Sequence, residues 1–312
     1  MSVGPLSQLR SMLRLAARGL RARGAAPGWE LSVPRRRVAL ERSGIHVDAA
    51  RLDAYGRATD GDGIVAFRGP HAVAPPFYPA TWEVGLALEM LAALDTPLPL
   101  GPMVHLSSDV VWARPVHAGD AVRCRVELDR VERARRGLRI TVLARNWLPG
   151  GQLCCQSSSV FLLRLRPRDE HGERGDGPPA ESREPRAPEE GWTELARWAL
   201  PRGAGRRYAR VSGDYNPIHL WSLTARPVGF RAPILHGFAT AARAAHGIIH
   251  QRLGGDGCAL RRMRIAFRAP LPLPSAPVLQ VTDAGGDRWF RVAGEDGTTV
   301  HAEGTYGAAV PV

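Results

Sequence analysis

Lysine is absent from this chain of 312 residues, so all 42 basic side chains are arginine. Schiff-base chemistry and a lysine general base are therefore excluded throughout the protein. Cysteine is scarce: Cys124, Cys154, Cys155 and Cys258 show no CxxC spacing, and the adjacent pair cannot form an unstrained bridge. Reduced thiols in a cytoplasm-like compartment are the simplest account. No apolar run approaches the ~20 residues that a membrane span requires. Phosphate loops and dinucleotide fingerprints are missing ahead of any helical pattern, and the serines at 157–159 lack a Gly-x-Ser-x-Gly context. His246 and His250 stand at helical i, i+4 spacing without a glutamate after the first or an evident third ligand, so no metal and no cofactor are expected.

What is present is charge of one kind and a strong pattern. The formal charge of +12 comes from arginines scattered through amphipathic elements with no aromatic stacking platform among them, which speaks against a nucleic-acid partner. Residues 1–28 contain no acid, and Leu6, Leu9, Leu13, Ala16 and Leu20 fall at helical spacing opposite Arg10, Arg14, Arg18 and Arg21. A mitochondrial transit helix has this pattern, and so does a helix on an anionic surface. The arginine-rich composition accounts for it equally, so residues 1–44 are read as a basic extension and the protein as cytoplasmic, mitochondrial only if that helix is a targeting segment.

Two domains follow. Residues 45–165 hold an apolar helix at 79–94, broken only by Glu83 and Glu89, and then strands. Val122, Cys124, Val126 and Leu128 alternate with charged neighbours, Leu138, Ile140 and Val142 repeat the period, and 158–165 is more continuously apolar. Residues 166–191 read as a disordered linker: from 167 to 191 there is no Leu, Ile, Val, Met or aromatic residue to offset the cost of ordering. The second domain, 192–312, has strand candidates at 263–267, 278–281, 289–292 and 300–306. Tyr55, Arg57 and Thr59 match Tyr208, Arg210 and Ser212, and the stretch from Trp112 to Pro115 matches that from Phe267 to Pro270, so the halves read as one unit duplicated.

The chemistry concentrates in YARVSGDYNPIHLWSLTARPVGFRAPILHG, residues 208–237. Ser212, Gly213, Asp214, Asn216 and Pro217 are turn formers in a row, which predicts an ordered loop. Asp214 and His219 lie five apart across a proline, a spacing that lets one loop aim a carboxylate and an imidazole into one cleft for acid/base work. His236 and Gly237 immediately precede an Ala-rich helical pattern, where bare amides can hold a developing oxyanion. His105, in PMVHLSSD just ahead of a strand, reads as a packed or hydrogen-bonded histidine.

SGDYNPIH followed by GF, API and HG closely resembles the motif of the MaoC-like (R)-specific enoyl-CoA hydratases and acyl dehydratases. The resemblance implies an α+β fold, a double hot-dog in which each antiparallel sheet wraps a central helix and the halves form an internal pseudo-dimer. It implies catalytic Asp214 and His219, with Gly237, His236, Asn216 and Ser212 around the thioester and the loop. It also implies reversible hydration of a trans-2-enoyl thioester, carried on coenzyme A or an acyl carrier protein, to the (R)-3-hydroxyacyl thioester. A carrier-protein dehydratase or thioesterase on the same fold is the alternative, and a non-catalytic acyl-thioester-binding protein is another. A homodimer of such chains is one assembly the plan allows. Many members carry Asp two places after the histidine where this chain has Trp221, which predicts altered loop packing rather than lost chemistry. The first half runs DGDGIVAF after Thr59 and enters its helix through FYPATW, so it is expected to keep the fold without the acid/base pair. Arg206, Arg207, Arg243 and Arg261 are candidates for meeting carrier phosphates at the cleft rim.

Overall fold

A computed structural model describes residues 38–94, 103–134, 137–164, 187–226 and 229–308. The amphipathic stretch at 1–28 and the linker up to residue 186 lie outside the described residues. The first half contains strand β1 (Val38–His46), helices α1 (Ala49–Ala58) and α2 (Ala80–Ala92), and strands β2 (Met103–Trp112), β3 (Ala121–Ala134), β4 (Gly137–Leu148) and β5 (Gln152–Arg164). The second half repeats the order with β6 (Thr193–Arg197), α3 (Ala204–Ser212), α4 (Gly237–Arg252), β7 (Arg262–Phe267), β8 (Val278–Thr282), β9 (Trp289–Ala293) and β10 (Val300–Gly307).

The strands form one antiparallel sheet, ordered β1-β3-β4-β5-β2-β7-β10-β9-β8-β6. Read inward from either edge, the two halves have the same topology, and they meet where β2 pairs with β7, Ser108 opposite Ile265 and Val110 opposite Met263. This is the double hot-dog architecture. Its period-two residues face one core: Val122, Cys124 and Val126 on β3 are wholly buried, as are Phe290 and Val292 on β9. Each such aliphatic side chain contributes about 1.5–3 kcal/mol of burial. Tyr55 of α1 and Tyr208 of α3, matched in the sequence, are both fully buried and stand 6.0 Å apart, ring to ring, so the duplicated residues meet in the core that both halves share.

The central helices α2 and α4 lie in that core. On α4 the buried positions include Ala239, Ala241, Ala242, Ala244 and Ala245 together with Ile248 and Ile249, small residues that leave the helix room for close neighbours. Glu83 on α2 is buried, and its carboxyl accepts hydrogen bonds from Asn146 Nδ2 at 2.6 Å and Ser157 Oγ at 3.2 Å. Burial raises its pKa, opposed by those two bonds.

Three expectations need correction. Residues 38–44 were assigned to the N-terminal extension, but they form most of β1 and pair with β3 from Val38 opposite Leu128 onward. β1 is an edge strand whose alternation runs only between half-buried and exposed residues until Ile45, so its period is shallow. His105 lies within β2 and not before a strand. Arg243 is not at a cleft rim: it is 3% exposed, and its Nε donates to Asp60 Oδ2 at 2.8 Å while Nη2 donates to the Ala58 carbonyl at 2.8 Å.

Candidate active site

The loop at the site begins one step later than its composition predicts. Tyr208 and Ser212 are still helical, and α3 stops at Gly213, whose φ of 77° is a left-handed cap that suits glycine. From there side chains direct the turns. Asp214 Oδ1 accepts the Asn216 amide at 3.1 Å, and the Asp214 amide donates to Ser212 Oγ at 3.2 Å. Asn216 caps the short 3-10 turn Pro217–His219, its Oδ1 accepting from the Ile218 amide at 3.5 Å. Ser212 and Asn216 therefore hold the loop that presents Asp214 and His219. Trp221 is 52% exposed and caps the helical turn Ser222–Ala225.

The imidazoles are fixed in known tautomers by main-chain oxygens, which can only accept. His219 Nδ1 donates to the Ile234 carbonyl at 2.8 Å, so a neutral ring carries its lone pair on Nε2. His236 Nε2 donates to the Asp214 carbonyl at 2.9 Å, which leaves the lone pair on Nδ1. Burial lowers the pKa of His219, partly countered by Asp214 and the bond to Ile234. Burial takes His236 well below its ordinary value, helped by the neighbouring His219. Both rings are neutral bases at physiological pH, not imidazolium ions.

A carboxylate oxygen of Asp214 and one ring nitrogen each from His219 and His236 lie within 4.8 Å of one another. A water hydrogen-bonded to two of these groups needs about 4.6 Å between them at normal bond lengths and a tetrahedral angle. The same trio has the composition of a metal site, yet the two imidazoles are stacked, centroids 3.8 Å apart and planes 27° from parallel. An imidazole lone pair lies in its ring plane, and planes this close to parallel share no point within about 2 Å of both rings, so the geometry favours water over metal. His246, the other ligand candidate, donates to the Thr59 carbonyl through Nδ1 at 3.0 Å and sits away from the trio's loop, on α4 against the first half.

Beside the trio, α4 opens at Gly237 with His236 as its N-cap, and the first helical bond runs from the Thr240 amide to the His236 carbonyl. The amides of the first turn have no carbonyl of the helix to bond, and the helix dipole favours negative charge there. Thus Asp214, His219, Asn216, Ser212, His236 and Gly237 are brought together around one loop and the start of α4. Of the arginines expected at the rim, Arg206 donates to the Leu220 carbonyl at 3.0 Å, and Arg261 to the Ala113 carbonyl at 2.9 Å. His105, read from the sequence as a packed or hydrogen-bonded histidine, comes from the first half and lies against Gly237, a contact the sequence did not announce.

Residues 192–304 match the model of the MaoC like domain, and residues 58–147 match that of the FAS1-like dehydratase domain region. The chain is 28% identical over 282 residues, 90% of each protein, to the 3-hydroxyacyl-thioester dehydratase X of Mycobacterium tuberculosis. It is 33% identical to the (R)-specific enoyl-CoA hydratase of Aeromonas caviae over 64 residues, 20% of this chain and 47% of that one. In fold it is similar to the crystal structure of HtdX from M. tuberculosis, with a TM-score of 0.67 at 22% identity over 88% of this chain and all of that one. The MaoC-like dehydratase of Phytophthora capsici gives 0.69 at 18% identity over 89% and 98%. With the fold and both halves in agreement, the chain is a double hot-dog whose second half is a MaoC-like domain and whose first half matches a dehydratase region.

Proposed function

We propose that this MaoC-like hydro-lyase adds water reversibly across a trans-2-enoyl thioester to give the (R)-3-hydroxyacyl thioester, with Asp214 and His219 as the acid/base pair. The observation that carries the reading is the lone pair left on His219 Nε2 by the Ile234 bond, in a buried ring close to the Asp214 carboxylate. A water held between them gives one proton to Nε2 as its oxygen bonds to C3. The electron pair of the C2–C3 double bond moves toward C2 and the thioester carbonyl, and the proton on Nε2 is returned to C2. The ring is neutral again and no external acid is consumed. Asp214 keeps the water oriented, and the Gly237 amide bears the charge that builds on the carbonyl oxygen, a contribution of about 3 kcal/mol in comparable sites.

The first half has no counterpart of this machinery. Gly61 follows Thr59 and Asp60 where Asp214 follows Ser212 and Gly213, and Pro79 caps α2 where His236 caps α4. One active centre per chain follows from that asymmetry. Support for an acyl-thioester substrate comes from the relatives, one named a 3-hydroxyacyl-thioester dehydratase and one an enoyl-CoA hydratase. The test is incubation of the protein with crotonyl-CoA and chiral analysis of the product. (R)-3-Hydroxybutyryl-CoA supports the reading, whereas release of free thiol, or no turnover over a chain-length series presented on both coenzyme A and carrier protein, contradicts it.

A further inference from the structure

The first half is not a spectator at this centre. His105, on β2, touches the glycine that opens α4: a Cβ placed on Gly237 would lie 2.6 Å from His105 Nδ1 and 3.1 Å from its Cγ, too close for any real side chain. The ring is fixed from every side. Its Nε2 meets the Ser107 carbonyl at 3.1 Å and Ser108 Oγ at 2.8 Å, and Ser108 is tied on to Ser159 at 2.7 Å. Phe161 stacks on it at 4.8 Å, with Phe238 at 4.4 Å and Phe267 at 4.6 Å. Because the Ser107 carbonyl only accepts, the proton sits on Nε2, and Nδ1 is a buried lone pair with no hydrogen-bond partner, held against Gly237. A register shift between His105 and Ser107 breaks the ladder with β5 at this point, the kind of irregularity that re-aims a side chain beside a site.

We infer that His105 is a positioning residue for the reaction, supplied by the half that lost its own acid/base pair: its ring is the stop against which Gly237 seats, and so sets where the Gly237 amide points. The inference rests on the reading of Gly237 as the oxyanion donor. It explains two features at once. Glycine is required at 237 because the neighbouring half fills the space a side chain would occupy. His105 stays neutral in its phenyl cage, its pKa lowered to about 3 chiefly by desolvation, so it adds no charge that would compete with the amide for the carbonyl oxygen.

Epistasis tests this directly. Gly237→Ala alone should lower kcat about a hundredfold, since the methyl group collides with His105 and shifts the first turn of α4. His105→Ala alone should lower kcat about tenfold with KM changed less than about threefold, because the stop is lost while the substrate contacts remain. The double variant Gly237→Ala/His105→Ala should then recover at least about tenfold over Gly237→Ala, because the ring that excluded the methyl is gone. His105→Phe should not rescue Gly237→Ala, since it retains a ring at the same place. His105→Ser repeats the comparison if the alanine variant does not fold by circular dichroism. Losses that simply add in the double variants, or a rise in KM with kcat unchanged for His105→Ala, would overturn the inference. An inactive wild type would instead remove the reading of the reaction on which it stands.

Discussion

His219 and His236 stack with centroids 3.8 Å apart, and each donates its one proton to a main-chain oxygen, Ile234 for the first and Asp214 for the second. Burial keeps both rings neutral, and for His236 the neighbouring His219 adds to that effect. The base needed for hydration is thus kept available by the fold, not by a neighbouring cation.

A pH profile follows from this. The pKa of His219 is lowered from 6.5 by burial, so its lone pair persists as the pH falls through 6.5. kcat/KM for hydration should stay flat from pH 8 to below 6.5, and its acid limb should lie under that value. An acid limb centred at 7 or above would mean that the titrating base is not this buried ring.

Stability should respond to acid in the same direction. His246 is 1% exposed and its pKa is lowered to about 4, mainly by desolvation; His219 and His236 are also lowered. An unfolded histidine takes up its proton near pH 6.5 while the folded one does not, so their stability is complete above that pH and is lost as the pH falls from there toward each folded pKa. Each contributes a slope of about 1.4 kcal/mol per pH unit in that window. Glu83 acts oppositely: its raised pKa makes its contribution complete below the ordinary carboxylate value and diminishing as the pH rises through it. Urea melts between pH 6.5 and 5 should therefore lose stability more steeply than one histidine allows, and more steeply again in Glu83→Gln. A flat profile contradicts the buried neutral assignments.

Asp60 and Asp62, adjacent in the loop of the first half, should behave differently on substitution. Asp60 holds the buried Arg243 of α4 at 2.8 Å, while Asp62 meets the exposed Arg68 at 3.7 Å. Asp60→Asn leaves a buried guanidinium with a weaker partner and should cost about 1–2 kcal/mol, less than a fully buried pair because Asp60 is half exposed. Asp62→Asn should cost under about 0.5 kcal/mol. Both should turn over substrate within about threefold of wild type, since neither residue touches the trio. Equal melting temperatures for the two variants would show that the Arg243 pair contributes no stability.

How far the sequence disclosed this molecule depended on whether neighbours in space were also neighbours in the chain. β3, β4 and β7 to β10 were legible because alternation marks a strand with one face on a core, and α2 because it is apolar all round. β1 and β6 sit at the two edges of the sheet with few buried residues, so the period is shallow in β1 and missing from β6. The motif loop carries its candidate residues within thirty positions, so their closeness was legible, apart from the last turn of α3, where Ser212 looks like a turn former and is helical. Arg243 was placed wrongly, and the neighbour of the packed, hydrogen-bonded His105 was not foreseen, for a common reason. Their partners, Asp60 and Gly237, belong to the opposite half, and no local pattern announces a contact across a pseudo-dimer.

The central claim is that Asp214 and His219 act on one water, and the most direct test is the non-additivity of their loss. Asp214→Asn and His219→Gln keep similar shape and some hydrogen bonding but remove the basic groups. Each should lower kcat for hydration of a trans-2-enoyl-CoA by about two to four orders of magnitude, with melting points little changed. The account predicts that the double variant is no slower than the worse single within about threefold, because the proton transfer to His219 already fails without either the base or the carboxylate that orients its water. Losses that multiply in the double variant, or single variants with near-normal rates, would contradict it.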